Sequence, residues 1–229
     1  MTMSVERLKA IVRWHVQQPL LGLMLRPVRA ETETFADAIV PIAAIGQDAV
    51  CYCGGVGEDI KFEELLIERF DALVWAFDPT PRSVRFVEEQ QDLSERFHFL
   101  PVGLWSEDTT LRFYSPANAN HVSHTVEGPQ GGATHFDAPC RSVPNLMREL
   151  GHEHLDLLKL NIEGAEDRVL QGTLEKGVRP RVITLTYEGK KAFRKALKWT
   201  RRLRREGYQL LGVRGWFVTY VRDPAQNAG

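Results

Sequence analysis

The sequence has few cysteines and no long apolar segment. Its 3 cysteines among 229 residues form neither a CxxC pair nor a Cys/His zinc spacing. We therefore expect Cys51, Cys53 and Cys140 to be reduced, buried thiols. The apolar piece at residues 20–25 is far too short to cross a bilayer, and the N-terminus lacks the layout of a signal peptide. These absences predict a cytoplasmic protein with no membrane span.

The sequence also lacks an excess of charge and the common phosphate-binding motifs. The formal net charge is −1 at pH 7, so nothing global favours nucleic acid or an acidic membrane as a partner. No GxxxxGK[ST] loop is present, and Ile60 occupies the third glycine position of a dinucleotide GxGxxG fingerprint. A Walker-type triphosphate loop is excluded, and the signal for a pyrophosphate is incomplete.

What is present is a strand, a glycine turn, a helix and a second strand within residues 48–78. The apolar run 49–53 suits a strand buried on both faces, and the next apolar residues recur at helical spacing. Gly55 and Gly57 lie at the turn between them, where the lack of a Cβ lets backbone N–H groups approach a ligand. Asp78 closes the second strand, where such folds hydrogen-bond a ribose.

A cofactor with a ribose but no phosphates fits this pattern best, and S-adenosylmethionine is such a cofactor. Its adenine is expected near Gly103 and Leu104, in a predicted turn after the third strand at residues 97–102. The fourth strand, at residues 155–162, ends in Asn161 and Glu163. Polar groups at the carboxyl end of a central strand face the cleft in open α/β sheets, so both are candidate site residues.

Strands and helices alternate along the chain and predict an α/β fold. Composition predicts one sizeable core, with a helical appendage at residues 1–45 and a single domain at 46–229. The appendage is expected to hold helices at residues 4–18 and about 35–42. Two strands near residues 208–213 and 216–221 are joined too tightly for a parallel crossover, so the last strand is expected to run antiparallel.

Residues 115–138 lack periodicity and are predicted to form a binding loop or lid. This stretch holds a dense group of histidines at positions 121, 124 and 135. The chain shows no Cys/His zinc spacing, so a metal site is disfavoured and a role as substrate contact or general base is preferred.

A basic helix is predicted at residues 190–205, with no acid among its many Lys and Arg residues. An inward stripe of Phe193, Leu197, Thr200 and Leu203 leaves the cations on the remaining surface. Such a face is expected either to be a solvated surface or to meet an anionic surface or substrate.

Four segments resemble the FkbM methyltransferase family. GVGEDI follows the first strand, FDPTP ends the second, PVGLW ends the third and LLKLNIEGAE ends the fourth, in the family's order over residues 49–166. The resemblance implies a Rossmann-like, seven-stranded class I methyltransferase sheet with helices on both faces and an antiparallel last strand. It also implies S-adenosylmethionine-dependent methyl transfer to a hydroxyl oxygen of a sugar, polyketide or other small metabolite.

Carried over to this sequence, the resemblance implies that Gly55 and Gly57 cradle the cofactor and that Asp78 binds its ribose. Two positions depart from the family pattern. Cys53 stands where many class I methyltransferases have an acid, and Asn161 replaces the Asp of KxDxEGAE. Glu58, Asp59 or backbone carbonyls are therefore expected to hold the cofactor's ammonium group, and Asn161 can still accept and donate hydrogen bonds.

The general base is hypothesised to be His121 or His124, with Glu163 next, because a neutral imidazole accepts a proton near neutral pH. Two other functions stay open. A nicotinamide-dependent oxidoreductase or epimerase is disfavoured by Ile60 and by the lack of a YxxxK pair. A degenerate methyltransferase fold that binds a partner through residues 190–205 is the alternative to an enzyme. The acceptor, the oligomeric state and any need for a metal stay undetermined.

Overall fold

A computed structural model describes residues 27–114, 135–162, 164–187 and 192–222 of the chain. The predicted helix at residues 4–18 and the candidates His121, His124 and Glu163 lie outside these ranges. The described strands are β1 (Thr32–Phe35), β2 (Ala38–Pro41), β3 (Val50–Gly54), β4 (Leu73–Phe77), β5 (Phe97–Leu100), β6 (Gly103–Trp105), β7 (Thr109–Tyr114), β8 (His135–Ser142), β9 (Leu157–Leu160), β10 (Val182–Thr186), β11 (Tyr208–Arg214) and β12 (Phe217–Arg222). The described helices are α1 (Lys61–Phe70), α2 (Pro81–Glu88), α3 (Val143–Leu150), α4 (Glu166–Glu175) and α5 (Ala192–Arg205).

The main sheet of the described residues has seven strands in the order β11-β12-β10-β9-β3-β4-β5. β3 pairs in parallel with β4 and β9, and β4 pairs in parallel with β5. β12 runs antiparallel to both β10 and β11. The predicted α/β fold, with seven strands and an antiparallel last strand, is confirmed.

The chain divides into two compact units, and the predicted boundary near residue 45 stays a prediction. The unit Gly46–Pro180 is built on β3, whose five residues are all buried. Phe62, Leu66 and Phe70 recur at helical spacing on α1 and are buried, as their spacing predicted. Cys51, Cys53 and Cys140 are buried and free, which confirms the prediction of reduced thiols.

A three-stranded sheet in the same unit was not predicted from the sequence. β8 pairs in parallel with β6 and antiparallel with β7, and Phe113, Ala138 and Cys140 form a small buried cluster between them. The predicted turn is therefore wrong at Gly103–Trp105, and the predicted irregular stretch is wrong at residues 135–138, which belong to β8; the rest of that stretch lies outside the described residues. The segment HFDAPCRS buries alternate residues at its end, and its many polar residues hid this period.

The unit formed by Met1–Ile45 and Arg181–Gly229 contains a hairpin where a helix was expected. The prediction of a helix at residues 35–42 is wrong, because β1 and β2 pair antiparallel with Phe35 opposite Ala38. Ala36 lies in the turn with a positive φ of 47°. Phe35, Ala38 and Val40 are buried, so the apolar residues follow a strand period after the turn. A short 3-10 helix, Ile42–Ala44, follows.

α5 lies in the second unit and buries Ala192, Ala196, Trp199, Thr200 and Leu203. The predicted inward stripe is confirmed at its last two positions, whereas Phe193 and Leu197 are only half-buried. Ala192, Ala196 and Trp199 complete the buried face instead. No helix among the described residues combines the length and apolar character needed to cross a bilayer.

Candidate active site

The glycine turn after β3 lies at the carboxyl ends of three adjacent parallel strands. Gly55 and Gly57 both have positive φ, 87° and 61°. A Cβ on Gly55 would lie 2.8 Å from the carbonyl carbon of Asn161 and would overlap its oxygen. A Cβ on Gly57 would meet nothing within 4 Å among the described residues. The first glycine therefore lets β3 and β9 approach each other, and the second leaves open space over the turn.

Asp78 is a buried carboxylate that holds the glycine turn in place. Its Oδ2 accepts hydrogen bonds from the backbone N–H groups of Val56 (3.0 Å) and Gly57 (3.1 Å). Its Oδ1 accepts from the backbone N–H (2.9 Å) and the hydroxyl (2.8 Å) of Thr80. A carboxylate offers about four acceptor sites, so these four bonds fill them. A ribose hydroxyl would reach Asp78 only by replacing one of its present donors.

The turn after β9 is held in a similar way by Glu166, the first residue of α4. Its buried carboxylate accepts from the backbone N–H groups of Ile162 (3.1 Å) and Gly164 (2.9 Å). Gly164 has a φ of 99°, and a Cβ there would meet nothing within 4 Å in the described part of the chain. The Asn161 N–H donates to the Gly54 carbonyl at 3.0 Å, which joins this turn to the glycine turn.

The two loops therefore meet at the point where the chain order of the sheet reverses. β3 is followed along the chain by β4 on one side, and β9 lies on its other side. Open α/β sheets bind ligands in the crevice outside the carboxyl ends of strands at such a reversal. The structure brings Gly55, Gly57, Asp78 and Asn161 together there.

Gly103 and Leu104, predicted to lie near an adenine, are both buried in β6. A Cβ built on Gly54 would lie 2.8 Å from Leu104 Cδ1, so the Leu104 side chain packs against the last residue of β3. Gly103 is enclosed by Cys140, Phe113 and Pro79. Leu104 thus provides an apolar wall beside the glycine turn, and adenine binding there stays a prediction.

Glu58 and Asp59, predicted to hold an ammonium group, have other partners in this structure. Glu58 forms an ion pair with Arg82 of α2. Asp59 Oδ1 accepts a hydrogen bond from the Lys61 N–H at 2.9 Å, at the start of α1. Their role toward a ligand stays a prediction.

A buried ion pair lies beneath the glycine turn and was not predicted from the sequence. Lys159 Nζ lies 2.8 Å from Glu63 Oε1, and both side chains are almost completely buried. Lys159 also lies opposite Cys53 in the β3–β9 pairing. Burial alone would lower the pKa of Lys159, but the Glu63 carboxylate outweighs it and holds that pKa above its usual value. A lysine inside the apolar strand LLKL was the signal for this pair.

Cys53 cannot replace the missing acid at its position. Burial raises the pKa of its thiol, and the neighbouring Glu63 raises it further. The thiol is therefore protonated and uncharged at neutral pH.

In the described ranges no group of three or more His, Cys, Asp or Glu side chains could hold a metal ion. His135 lies on β8, and the other histidines of that group fall outside the described residues.

The strand order, the glycine turn at the chain reversal and the acidic residue after β4 define a class I methyltransferase-type α/β domain. A model of the FkbM methyltransferase domain matches residues 43–210. The chain belongs to this family of methyltransferases, and the resemblance seen in its motifs is confirmed.

The relatives and solved structures that match this chain have low sequence identity to it. Probable methyltransferase-like protein 24 of Rattus norvegicus and that of Homo sapiens are each 23% identical over 137 residues, which cover 60% of this chain and 31% of theirs. The chain thus spans about a third of the length of these curated relatives. The crystal structure of a fibrillarin/Nop5p complex aligns over 93% of this chain and 84% of that chain, with 10% identity and a TM-score of 0.44.

Proposed function

We propose that the chain is an S-adenosylmethionine-dependent methyltransferase that methylates a hydroxyl oxygen of a sugar, polyketide or other small metabolite. One observation carries the proposal. Two open glycine positions, Gly57 and Gly164, flank the crevice at the carboxyl ends of β3 and β9. Each lies in a loop that is fixed by a buried carboxylate, Asp78 or Glu166, which accepts the glycine's own N–H, so the open space beside each glycine is held in a defined arrangement.

The residues present fit this cofactor better than a dinucleotide. Ile60 is buried at the N-cap of α1 and fills the place of the third glycine of a dinucleotide fingerprint, which allows close helix–strand packing in such sites. The crevice therefore suits a ribose-containing cofactor without phosphates. Gly55 and Gly57 would hold the cofactor's amino acid end, Leu104 would border the adenine, and Asp78 would contact the ribose by exchanging a present donor.

The bound cofactor would supply an activated methyl group on a sulfonium, so the protein's tasks are alignment and removal of a proton. Holding two reacting groups in line gives effective molarities on the order of 10⁵ M or more. His121 or His124 would accept the hydroxyl proton on an imidazole nitrogen, with Glu163 as the next candidate. The side-chain amide of Asn161 would hydrogen-bond the acceptor or the cofactor.

A transfer assay tests the proposal. Protein, S-adenosylmethionine and a panel of hydroxylated sugars and polyketides are incubated, and formation of S-adenosylhomocysteine and of the methylated product is measured. Acceptor-dependent turnover supports O-methylation. The double variant His121→Ala, His124→Ala should lose most of that turnover, and full turnover would reject the histidine base. Product formed only with amine acceptors would reject the hydroxyl specificity.

A second candidate function is a methyltransferase-fold protein that binds a partner without transferring methyl groups. One observation favours it: the four acceptor sites of Asp78 are filled by the protein's own donors. Under this alternative, Asp78 only stabilises the glycine turn, and no cofactor binds. Direct binding of S-adenosylmethionine distinguishes the two functions.

A further inference from the structure

The outer face of α5 carries a row of cations. Arg194, Lys198, Arg201 and Arg205 are exposed. Their spacing of four, three and four residues places them on one face of the helix. At 1.5 Å of rise per residue, the row is about 16 Å long. We call these four residues the basic row.

The opposite face of α5 is already used for packing. Ala196, Trp199 and Leu203 are almost fully buried. Two cations of α5, Lys198 of the row and Arg202 beside it, pack on the indole of Trp199: Lys198 Nζ lies 5.5 Å and the Arg202 guanidinium carbon 5.0 Å from its ring centroid. The helix therefore has no free apolar face to insert into a bilayer, and any contact made by the basic row is electrostatic.

Neighbouring charges within the protein do not explain the basic row. α5 contains no acidic residue, and the four side chains form no ion pair with the part of the chain that the structure describes. Residues four apart with the same charge repel each other, as in the pairs Arg194/Lys198 and Arg201/Arg205. Arg194 also lies in the first turn, where the helix dipole disfavours a cation. Arg201 and Arg205 lie near the C-terminal end, where the dipole favours them.

The basic row is also set apart by the charge of the rest of the chain. α5 holds seven Lys and Arg residues with no acid, in a chain whose formal net charge is −1. The remaining residues therefore carry a formal charge of −8. Such an asymmetry orients a protein near an anionic surface, because only one face is attracted.

We propose that the basic row docks the protein on the surface of an anionic lipid bilayer. Clusters of four to eight Lys and Arg on an amphipathic helix are typical of contacts with anionic headgroups. Among the described residues the exposed large hydrophobic side chain is Leu93, which lies outside α5. In the part of the chain that the structure describes, no exposed aromatic ring therefore lies beside the row to stack on bases, which favours a lipid surface over single-stranded nucleic acid.

The test is co-sedimentation of the full chain with vesicles of phosphatidylcholine alone or of phosphatidylcholine mixed with phosphatidylserine. The protein should bind only the anionic vesicles, and added salt should release it. A row variant replaces all four cations: Arg194→Gln, Lys198→Gln, Arg201→Gln and Arg205→Gln. Each cation near an anionic leaflet raises affinity about fivefold, so this variant should bind roughly several hundredfold more weakly.

A matched control loses the same four charges elsewhere on the surface. It replaces exposed cations of other elements: Arg85→Gln, Arg148→Gln, Arg168→Gln and Lys176→Gln. It should keep nearly all of its vesicle binding. A third variant, Arg194→Lys, Arg201→Lys and Arg205→Lys, keeps the charges and should also bind. Circular dichroism must show the same helix content in all three.

Three results would overturn the proposal. The first is equal binding to neutral and anionic vesicles. The second is an equal loss in the row variant and the matched control, which would show an effect of total charge alone. The third is binding to RNA or DNA that the row variant abolishes, with no vesicle binding by the unmodified protein; that result would make the row a nucleic-acid surface instead.

Discussion

Gly55 and Gly57 offer a matched pair of substitutions at the glycine turn. Both have positive φ, so an alanine at either position adopts a backbone conformation that L-residues disfavour. They differ in what the new methyl group meets. At Gly57 there is nothing within 4 Å, whereas at Gly55 the Cβ overlaps the backbone of Asn161. Comparing the two variants separates backbone strain from steric overlap.

The magnitudes follow from these surroundings. A left-handed backbone conformation costs an alanine about 1–2 kcal/mol of stability. The lower conformational entropy of the unfolded alanine chain offsets about 0.4–1 kcal/mol of this cost. Gly57→Ala should therefore lower the free energy of unfolding by about 1 kcal/mol. Gly55→Ala must also move β3 away from β9. This weakens the bond from the Asn161 N–H to the Gly54 carbonyl by about 1 kcal/mol, and the overpacking itself costs about 1–3 kcal/mol. Its total loss should be about 3–5 kcal/mol, a large part of a typical domain's stability.

Urea denaturation followed by tryptophan fluorescence measures both losses, and calorimetry measures cofactor binding. Gly57→Ala should fold but bind S-adenosylmethionine more weakly, because its methyl group occupies the open space over the turn. Gly55→Ala should be destabilised several times more. Equal destabilisation of the two variants would refute the steric argument, and unchanged binding by Gly57→Ala would move the cofactor away from this turn.

Three further changes test other parts of the site and its support. Asp78→Asn should lower the unfolding free energy by about 2–3 kcal/mol and weaken cofactor binding. In the unmodified protein both carboxylate oxygens accept from N–H donors, and in the variant an amide nitrogen must face one set of these donors. A thermal midpoint equal to that of the unmodified protein would contradict this. Lys159→Met should cost about 3–5 kcal/mol by leaving Glu63 buried and unpaired, and adding Glu63→Gln should restore part of the loss in chemical denaturation. Burial, with His154 and His98 nearby, lowers the pKa of His152 in the folded protein. Below about pH 6.5 the unfolded chain therefore binds a proton at this histidine that the folded protein does not, so stability should fall as the pH drops. His152→Gln should reduce that slope between pH 7 and pH 5, and an unchanged slope would assign it to other groups.

Much of the fold could be predicted from the sequence because its central strands and helices have clear periods. Phe62, Leu66 and Phe70 recur at helical spacing and are buried on α1. The run at β3 is apolar throughout and is buried on both faces. The antiparallel direction of the last strand could be predicted because the link between β11 and β12 is too short for the crossover that a parallel pair needs.

The hairpin at β1 and β2 and the strand β8 were missed for a physical reason. β1 and β2 are short, and the burial of all three strands depends on partners distant in sequence or on a turn that a helical pattern also allows. In β8 the buried Ala138 and Cys140 alternate with the exposed Asp137 and Pro139, residue types that are common in loops. Tertiary pairing, rather than local propensity, decides such segments.

The sequence placed four candidate residues at one crevice but not their contacts, and their role toward a ligand stays a prediction. Gly55, Gly57, Asp78 and Asn161 meet at the predicted crevice. The sequence could not reveal that Asp78 accepts four hydrogen bonds from the protein itself, because they depend on the path of the turn. The Lys159–Glu63 pair was likewise missed because its two residues lie on different elements, and the role of Glu166 was missed because its bonds to the Ile162 and Gly164 N–H groups depend on the path of that turn.

The most direct test of the proposed function is calorimetric titration of the purified protein with S-adenosylmethionine, S-adenosylhomocysteine and, separately, NAD. The proposal predicts binding in the micromolar range for the first two ligands, no binding of NAD and a large loss of affinity in Asp78→Asn. If the folded protein binds none of the three, the cofactor proposal is wrong and the chain is a methyltransferase-fold binding protein.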